Sequence, residues 1–222
     1  MRIVALLAAL AIALVTSCSA SGAQKVTLPD GTRLLNDSAA AMRTVTTIHF
    51  TIRVQGNVRG VPLRYADGRL TRQGTAQGTA KVDRGGQLVQ EEFLIIGDML
   101  YLRAPSGGFQ ELPSSVAGVV YDPSVILNPD RGIAAVLDSG KDASTEAREL
   151  LARVDTYRLR ATFPRQSLGT LVPGLSKDTA GQVWIAVQGS RLVKAQFPVG
   201  DGLISIHFAD YDAPVVINGP GE

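Results

Sequence analysis

The chain has 222 residues, a formal charge of +2, 45% hydrophobic residues, 5% aromatic ones and one cysteine. With the charge near neutral and no lysine or arginine block, a nucleic-acid-binding surface is excluded as a reading. A lone cysteine excludes a disulfide framework, so the fold must rest on a hydrophobic core of Ala, Val, Leu and Ile.

The amino terminus reads as an export signal. Met1-Arg2 carries one positive charge, and an apolar run follows from Ile3 to Val15. That run is about 13 residues long, the size of a signal h-region and short of the ~20 a bilayer span needs. It ends in Val15-Thr16-Ser17-Cys18, an aliphatic residue and two small ones before the cysteine. This looks like a lipobox, predicting cleavage before Cys18 and acylation of its thiol. An unpaired cysteine in an exported chain needs a role, and acyl chains there provide a membrane anchor. Residues 18–33 are expected to be an acylated tether, and 34–222 one domain.

Leu34, Leu35, Ser38, Ala39 and Met42 share a helical face. The period then changes, and Ile48-His49-Phe50-Thr51-Ile52-Arg53-Val54 alternates as a strand with one buried face. Gly56 to Gly60 reads as a turn, and Pro62 to Thr71 as a weaker strand broken at Asp67-Gly68. Thr75 to Val82 also alternates, but its apolar face is Ala76, Gly78, Ala80 and Val82. Such small side chains mean either close approach of another backbone or a space above the sheet. Glu92 to Ile96 and Met99 to Arg103 form a predicted hairpin through Gly97-Asp98.

Asp122-Pro123 and Asn128-Pro129 each place a capping residue before proline, predicting two short helices with apolar stripes. Thr145 to Val154 fits either a helix or a strand and turn. Thr156 to Phe163 alternates, Gln166 to Val172 fits a short helix, and strands are expected at Gln182–Val187, Arg191–Phe197 and Leu203–Phe208. The sum is an α+β single domain, a large antiparallel sheet with a few helices on one face.

The stretch from Tyr121-Asp122-Pro123 through Leu127-Asn128-Pro129-Asp130-Arg131-Gly132 to Leu137 resembles the LppX/LprAFG family of mycobacterial and other actinobacterial lipoproteins. Thr47-Ile48-His49-Phe50, Gly68-Arg69-Leu70-Thr71, Gly97-Asp98-Met99-Leu100-Tyr101 and Val183-Trp184-Ile185 match in register, so the likeness runs from about Leu34 to Ile217. Two places depart from the family pattern: Ala209-Asp210-Tyr211-Asp212 replaces a Ser-x-Trp-Gly ending, and Leu150-Leu151-Ala152-Arg153 replaces an Asn-Gly turn. The resemblance implies a strongly curved, LolA/LolB-like half-barrel with helices on its concave side around an apolar cavity for acyl chains of envelope lipids. It also implies extracytoplasmic lipid anchoring and, in some members, work alongside a membrane lipid exporter.

On that reading Phe50, Ile52, Val54, Ala76, Gly78, Ala80 and Val82 form the cavity floor, and Ile126, Ile133, Val136 and Leu137 its lid. The plainer alternative is that they fill a core. Arg53, Arg59 and Arg64 are candidate phosphate contacts near the opening, against the alternative of solvated surface arginines. No nucleophile elbow, metal-ligand spacing or nucleotide loop is present in the sequence, and only His49 and His207 offer imidazoles. The expected protein is therefore a monomeric, non-enzymatic carrier of acylated lipid with no cofactor. The competing expectation is a surface lipoprotein that binds a protein or polysaccharide partner.

Overall fold

The structure is a computed structural model and describes residues 27–113, 123–172 and 175–220. Cys18, the signal and most of the tether lie outside the described residues, as do Tyr121 and Asp122 of the family-like stretch.

A helix, α1 (Gly31–Arg43), begins three residues before the predicted Leu34, because the Asp30 side chain caps it by accepting from the Arg33 N–H at 2.8 Å. Leu35, Ser38, Ala39 and Met42 are buried along its inner stripe. Six strands follow: β1 (Thr47–Gln55), β2 (Leu63–Thr71), β3 (Ala76–Arg84), β4 (Gln87–Ile96), β5 (Met99–Arg103) and β6 (Gln110–Pro113). Two short helices, α2 (Pro123–Ile126) and α3 (Ile133–Asp138), precede β7 (Lys141–Leu151) and β8 (Val154–Phe163). Helix α4 (Arg165–Leu168) leads to β9 (Thr179–Ala186), β10 (Leu192–Val199) and β11 (Gly202–Ala209).

The eleven strands among the described residues form one antiparallel sheet in the order β6-β5-β4-β3-β2-β1-β11-β10-β9-β8-β7. Two meanders, β1 to β6 and β7 to β11, are joined where the first strand pairs with the last, Phe50 opposite Phe208 and Ile52 opposite Ile206. The sheet is curved and unclosed, with β6 and β7 as its edges. The chain must travel from one edge to the other between β6 and β7, and that crossing carries α2 and α3 over the inner face.

Several expectations shift in detail. The ambiguous Thr145–Val154 segment is the end of strand β7 and its turn into β8. Strand β2 continues through Asp67 and Gly68: the aspartate points outward, accepting from Thr51 Oγ1 at 2.8 Å and lying 3.0 Å from His49 Nε2. Asn128 does not cap a helix directly. Its Oδ1 accepts from the N–H groups of Asp130 and Arg131, closing a turn, and α3 begins later with Gly132 at its N-cap. Strand β6 has too little apolar pattern to have been read as a strand.

Candidate functional site: the inner face of the sheet

Directly opposed residues of an antiparallel pair point to the same face, so the register defines the inner surface row by row. One row runs Ile48, Leu70, Ala76, Ile95, Leu100 and Leu112; the next runs Phe208, Phe50, Gly68, Gly78, Phe93 and Leu102. A third runs Ile206, Ile52, Ala66, Ala80 and Glu91. The rows are apolar or small except for Glu91 and for the exposed Gln110, which stands opposite Leu102 on β6.

The two halves of this face differ. On β8 to β11, Leu159, Ala161, Phe163, Val183, Ile185, Leu192, Ala195, Phe197 and Val199 are buried, and Phe163 meets Phe197 edge to face at 5.5 Å between ring centres. They join α1, α3, Leu168 and Val172 in one continuous core. An ion pair of Arg43 with Asp138 at 2.9 Å ties α1 to α3. On β3 to β6, by contrast, Val82, Val89, Phe93, Ile95, Leu100, Leu102 and Leu112 are only half-buried. At the β2–β3 turn this half is closed by α2, for a methyl group on Gly74 would stand 2.7 Å from Ser124 Cβ. At the β3–β4 turn it gives way to the exposed Arg84, Gln87 and Leu88. The inner face is thus a closed core on β8 to β10 and a half-buried apolar surface on β3 to β6.

The expected floor and lid residues all lie on this side of the sheet, in two different settings. Phe50, Val54, Ala76, Ile133, Val136 and Leu137 are buried in the core, whereas Ile52, Ala80 and Ile126 are half-buried and pack against it. Val82 and Gly78 are also half-buried. Gly78 has a definite steric reason: a Cβ there would fall 2.1 Å from the Asp67 carbonyl oxygen and 2.7 Å from Gly68 Cα. One on Gly68 would fall 3.1 Å from Phe93 Cζ and 3.2 Å from Phe50 Cζ. The paired glycines let the β2 and β3 backbones approach closely, with the Phe50 and Phe93 rings against Gly68.

The outer face carries ion pairs and polar contacts around a small buried cluster of Trp184, Ala186 and Val193. Glu146 accepts from Arg158, Arg160 and Gln182, and Lys194 lies 4.3 Å over the Trp184 ring, whose Nε1 donates to Glu149. Both histidines are here. Burial, with Lys194 and Arg53 nearby, holds the His207 pKa below its ordinary value, while His49 is engaged with Asp67. Burial opposes ionisation of Asp67, but its bonds with His49 and Thr51 prevail and keep it below the usual carboxylate range. Arg53 and Arg64 line an outer hollow of about 540 Å³ with Lys81 and Tyr65, and Arg59 is exposed in the β1–β2 turn. Arg53 and Arg64 therefore stand on the outer face. Sequence reasoning missed Glu91 and Arg84; the one polar residue in register with Ile52, Ala66 and Ala80 becomes visible only when four strands are aligned.

The open antiparallel sheet with its helices matches the fold of LprF from Mycobacterium bovis. That structure superposes with a TM-score of 0.77 at 24% identity over 86% of this chain and 96% of LprF. LppX from Mycobacterium tuberculosis superposes with a TM-score of 0.66 at 19% identity, over 84% of this chain and 97% of LppX. Residues 30–217 match the profile of the LppX_LprAFG lipoproteins, and the chain belongs to that family. The lipoarabinomannan carrier protein LprG of Mycolicibacterium smegmatis is 32% identical over 96% of this chain and 92% of its own length. Its namesake in Mycolicibacterium hassiacum is 31% identical over 99% and 98%. No described helix is long and apolar enough to cross a membrane.

Proposed function

We propose that this protein binds acylated lipids of the cell envelope along the apolar inner face and carries or presents them toward the outer envelope, tethered through acyl groups on Cys18. The observation that carries the reading is the asymmetry of the inner face. A sheet that closes its core on β8 to β11 yet leaves apolar side chains half-covered on β3 to β6 retains surface that gains about 25 cal/mol per Å² when a hydrocarbon chain covers it. Such a surface holds acyl chains with no demand for hydrogen bonds. The carrier named for the two mycolicibacterial relatives is in the same class. Residues offered as lipid contacts are Ile52, Ala80, Val82 and Ile126, with Phe50, Val54, Ala76, Gly78, Ile133, Val136 and Leu137 shaping the space behind them. The reading assigns no catalytic chemistry to the chain, and a membrane exporter is a natural partner for a tethered carrier.

The test is to express the domain from Ser19 onward, extract it with organic solvent, and weigh extract and intact protein by mass spectrometry. Acyl lipid in stoichiometric amount is expected. Protein of bare polypeptide mass, even after incubation with envelope lipids, sinks the reading.

A further inference from the structure

The outer face holds a group of cations that the carrier reading does not use. Arginines elsewhere on that face meet carboxylates: Arg69 meets Asp210, Arg103 meets Glu92, and Arg158 and Arg160 share Glu146. Arg53 and Lys81 are both exposed and form no ion pair among the described residues. They flank Tyr65 in one cross-strand row, Arg53 opposite Tyr65 and Tyr65 opposite Lys81. The Arg53 guanidinium lies 5.1 Å over the Tyr65 ring. A bulge brings in a further cation. Leu63 faces Val82 and Tyr65 faces Lys81, so β2 carries an extra residue here. That residue, Arg64, is turned to the side of Tyr65, and both line the hollow of about 540 Å³ with Arg53 and Lys81. Arg64 donates to the Val61 carbonyl at 3.2 Å and to Asp83 at 3.3 Å, which fixes its side chain at the rim.

We propose that this outer hollow is an oxyanion site that takes a phosphate group, independent of any lipid on the inner face. Arg53, Arg64 and Lys81 converge on it, and the carboxylate nearest Arg64, Asp83, is already engaged by Arg64 and by the Gly86 N–H at 2.8 Å. Asp67, in the neighbouring row, is likewise engaged by His49 and Thr51. The hollow therefore carries uncompensated positive charge. Two strand spacings, about 10 Å, separate the backbones of Arg53 and Lys81, a gap that their long side chains close around one anion. A tetrahedral phosphate offers acceptors at once to a guanidinium fork and to an ammonium. Thr79 and Gln90 line the same hollow and add neutral donors. The bulge at Arg64 is the device that assembles the set, since a regular strand would send Arg64 and Tyr65 to opposite faces. Phosphate of this kind has two sources, a lipid headgroup and a soluble phosphate.

The experiment uses the full chain, labelled with nitrogen-15, in a neutral detergent at constant ionic strength, so that screening does not change along the titration. Inorganic phosphate is added while the arginine Nε–H resonances are followed by NMR. The Arg53 and Arg64 resonances are expected to shift saturably, and the Arg160 resonance to stay. Arg53→Gln and Lys81→Gln, read at Arg64, should each weaken binding about tenfold, the scale of one hydrogen bond to a charged group. Arg160→Gln removes the same charge from a distant strand of the same face and should leave the affinity unchanged. Dioleoyl phosphatidylglycerol is then added to the micelles, with dioleoyl phosphatidylcholine as the zwitterionic control. If the glycerol lipid alone reproduces the Arg53 and Arg64 shifts, the source is a headgroup; if neither lipid does, it is soluble phosphate, and both results uphold the site. Shifts that never saturate, or an equal loss in Arg160→Gln, overturn it and leave only the general attraction of a cationic surface. None of these outcomes bears on acyl chains bound at the inner face.

Discussion

The turn between β7 and β8 places Ala152 and Arg153 at φ of +49° and +70°, between the paired Leu151 and Val154. Two positive φ values in a two-residue hairpin make the turn that Asn-Gly occupies at least cost, since side chains other than Gly, Asn or Asp lose roughly 1 kcal/mol or more in that region. The double substitution Ala152→Asn with Arg153→Gly should therefore raise unfolding free energy by about 1 kcal/mol, read as a higher urea midpoint at unchanged slope. The other departure from the family pattern has a different logic. Tyr211 is half-buried against the core with its hydroxyl donating to the Leu192 carbonyl, and burial of that hydroxyl, the dominant effect, raises its pKa. Asp212 accepts from Thr46 N–H at 2.7 Å, Thr46 Oγ1 at 3.0 Å and Arg191 at 3.0 Å. Burial opposes ionisation of Asp212, but these bonds and the nearby Arg191 and Arg72 prevail, so its pKa lies below the ordinary 3.8. A carboxyl lowered on folding adds stability above its unfolded pKa and loses it as pH falls through the folded value. Asp212→Asn keeps the side chain suited to its φ of +59° and removes the charge. It should cost at most about 1 kcal/mol at pH 7, because the group is partly solvated. The deficit should shrink in unfolding curves as pH falls below 3.8 toward the lowered folded value, and a deficit independent of pH would refute the electrostatic account.

Among the elements, the close approach of β2 and β3 at Gly68 and Gly78 leaves no room for a side chain. A single methyl at Gly78 meets backbone of β2, which has no rotamer by which to move aside. Gly78→Ala should destabilise by about 2 kcal/mol, as overpacking does, measurable by denaturant titration. Val82→Asp, on the half-open part of the same strand, should instead leave the unfolding midpoint within about 0.5 kcal/mol of native, as substitutions away from a packed core do, while reducing bound lipid. An unchanged lipid load in that variant would remove β3 from the site. Individual elements were legible because their periods are strong: the alternation of Ile48 through Val54 and the stripe of Leu35, Ala39 and Met42 each needs a single buried face. What lay beyond the sequence was relational. The small residues of β3 fit either a void or a close backbone approach, and the choice at Gly78 is made by Asp67 and Gly68 on another strand. Likewise Asn128-Pro129 looks like a helix start because its cap-forming side chain closes a turn with the same donors a helix offers. Glu91 could be singled out only after β1 through β4 were in register.

For the molecule as a whole, the joining of β1 to β11 makes the first and last strands neighbours, so the sheet is complete only when both meanders have formed. Their union supplies a rigid wall, and the helices carried by the edge-to-edge crossing close the core over one half of it. The other half keeps apolar surface that water covers poorly, and this couples cargo to stability. A ligand that binds only the folded state adds RT ln(1 + [L]/Kd), about 2.7 kcal/mol at a hundredfold excess over Kd. For a domain of this length each kcal/mol moves Tm by roughly 2–4 °C. Protein stripped of lipid should therefore melt about 5–10 °C below the loaded form, and readdition of acyl lipid should restore the difference in scanning calorimetry. The Val82→Asp protein should melt at the same temperature with and without lipid, which ties the stabilisation to the β3 side of the inner face. Equal melting of stripped and loaded native protein would mean that the half-open apolar face is already satisfied by the chain itself, and the partner-binding reading would then account better for the same fold.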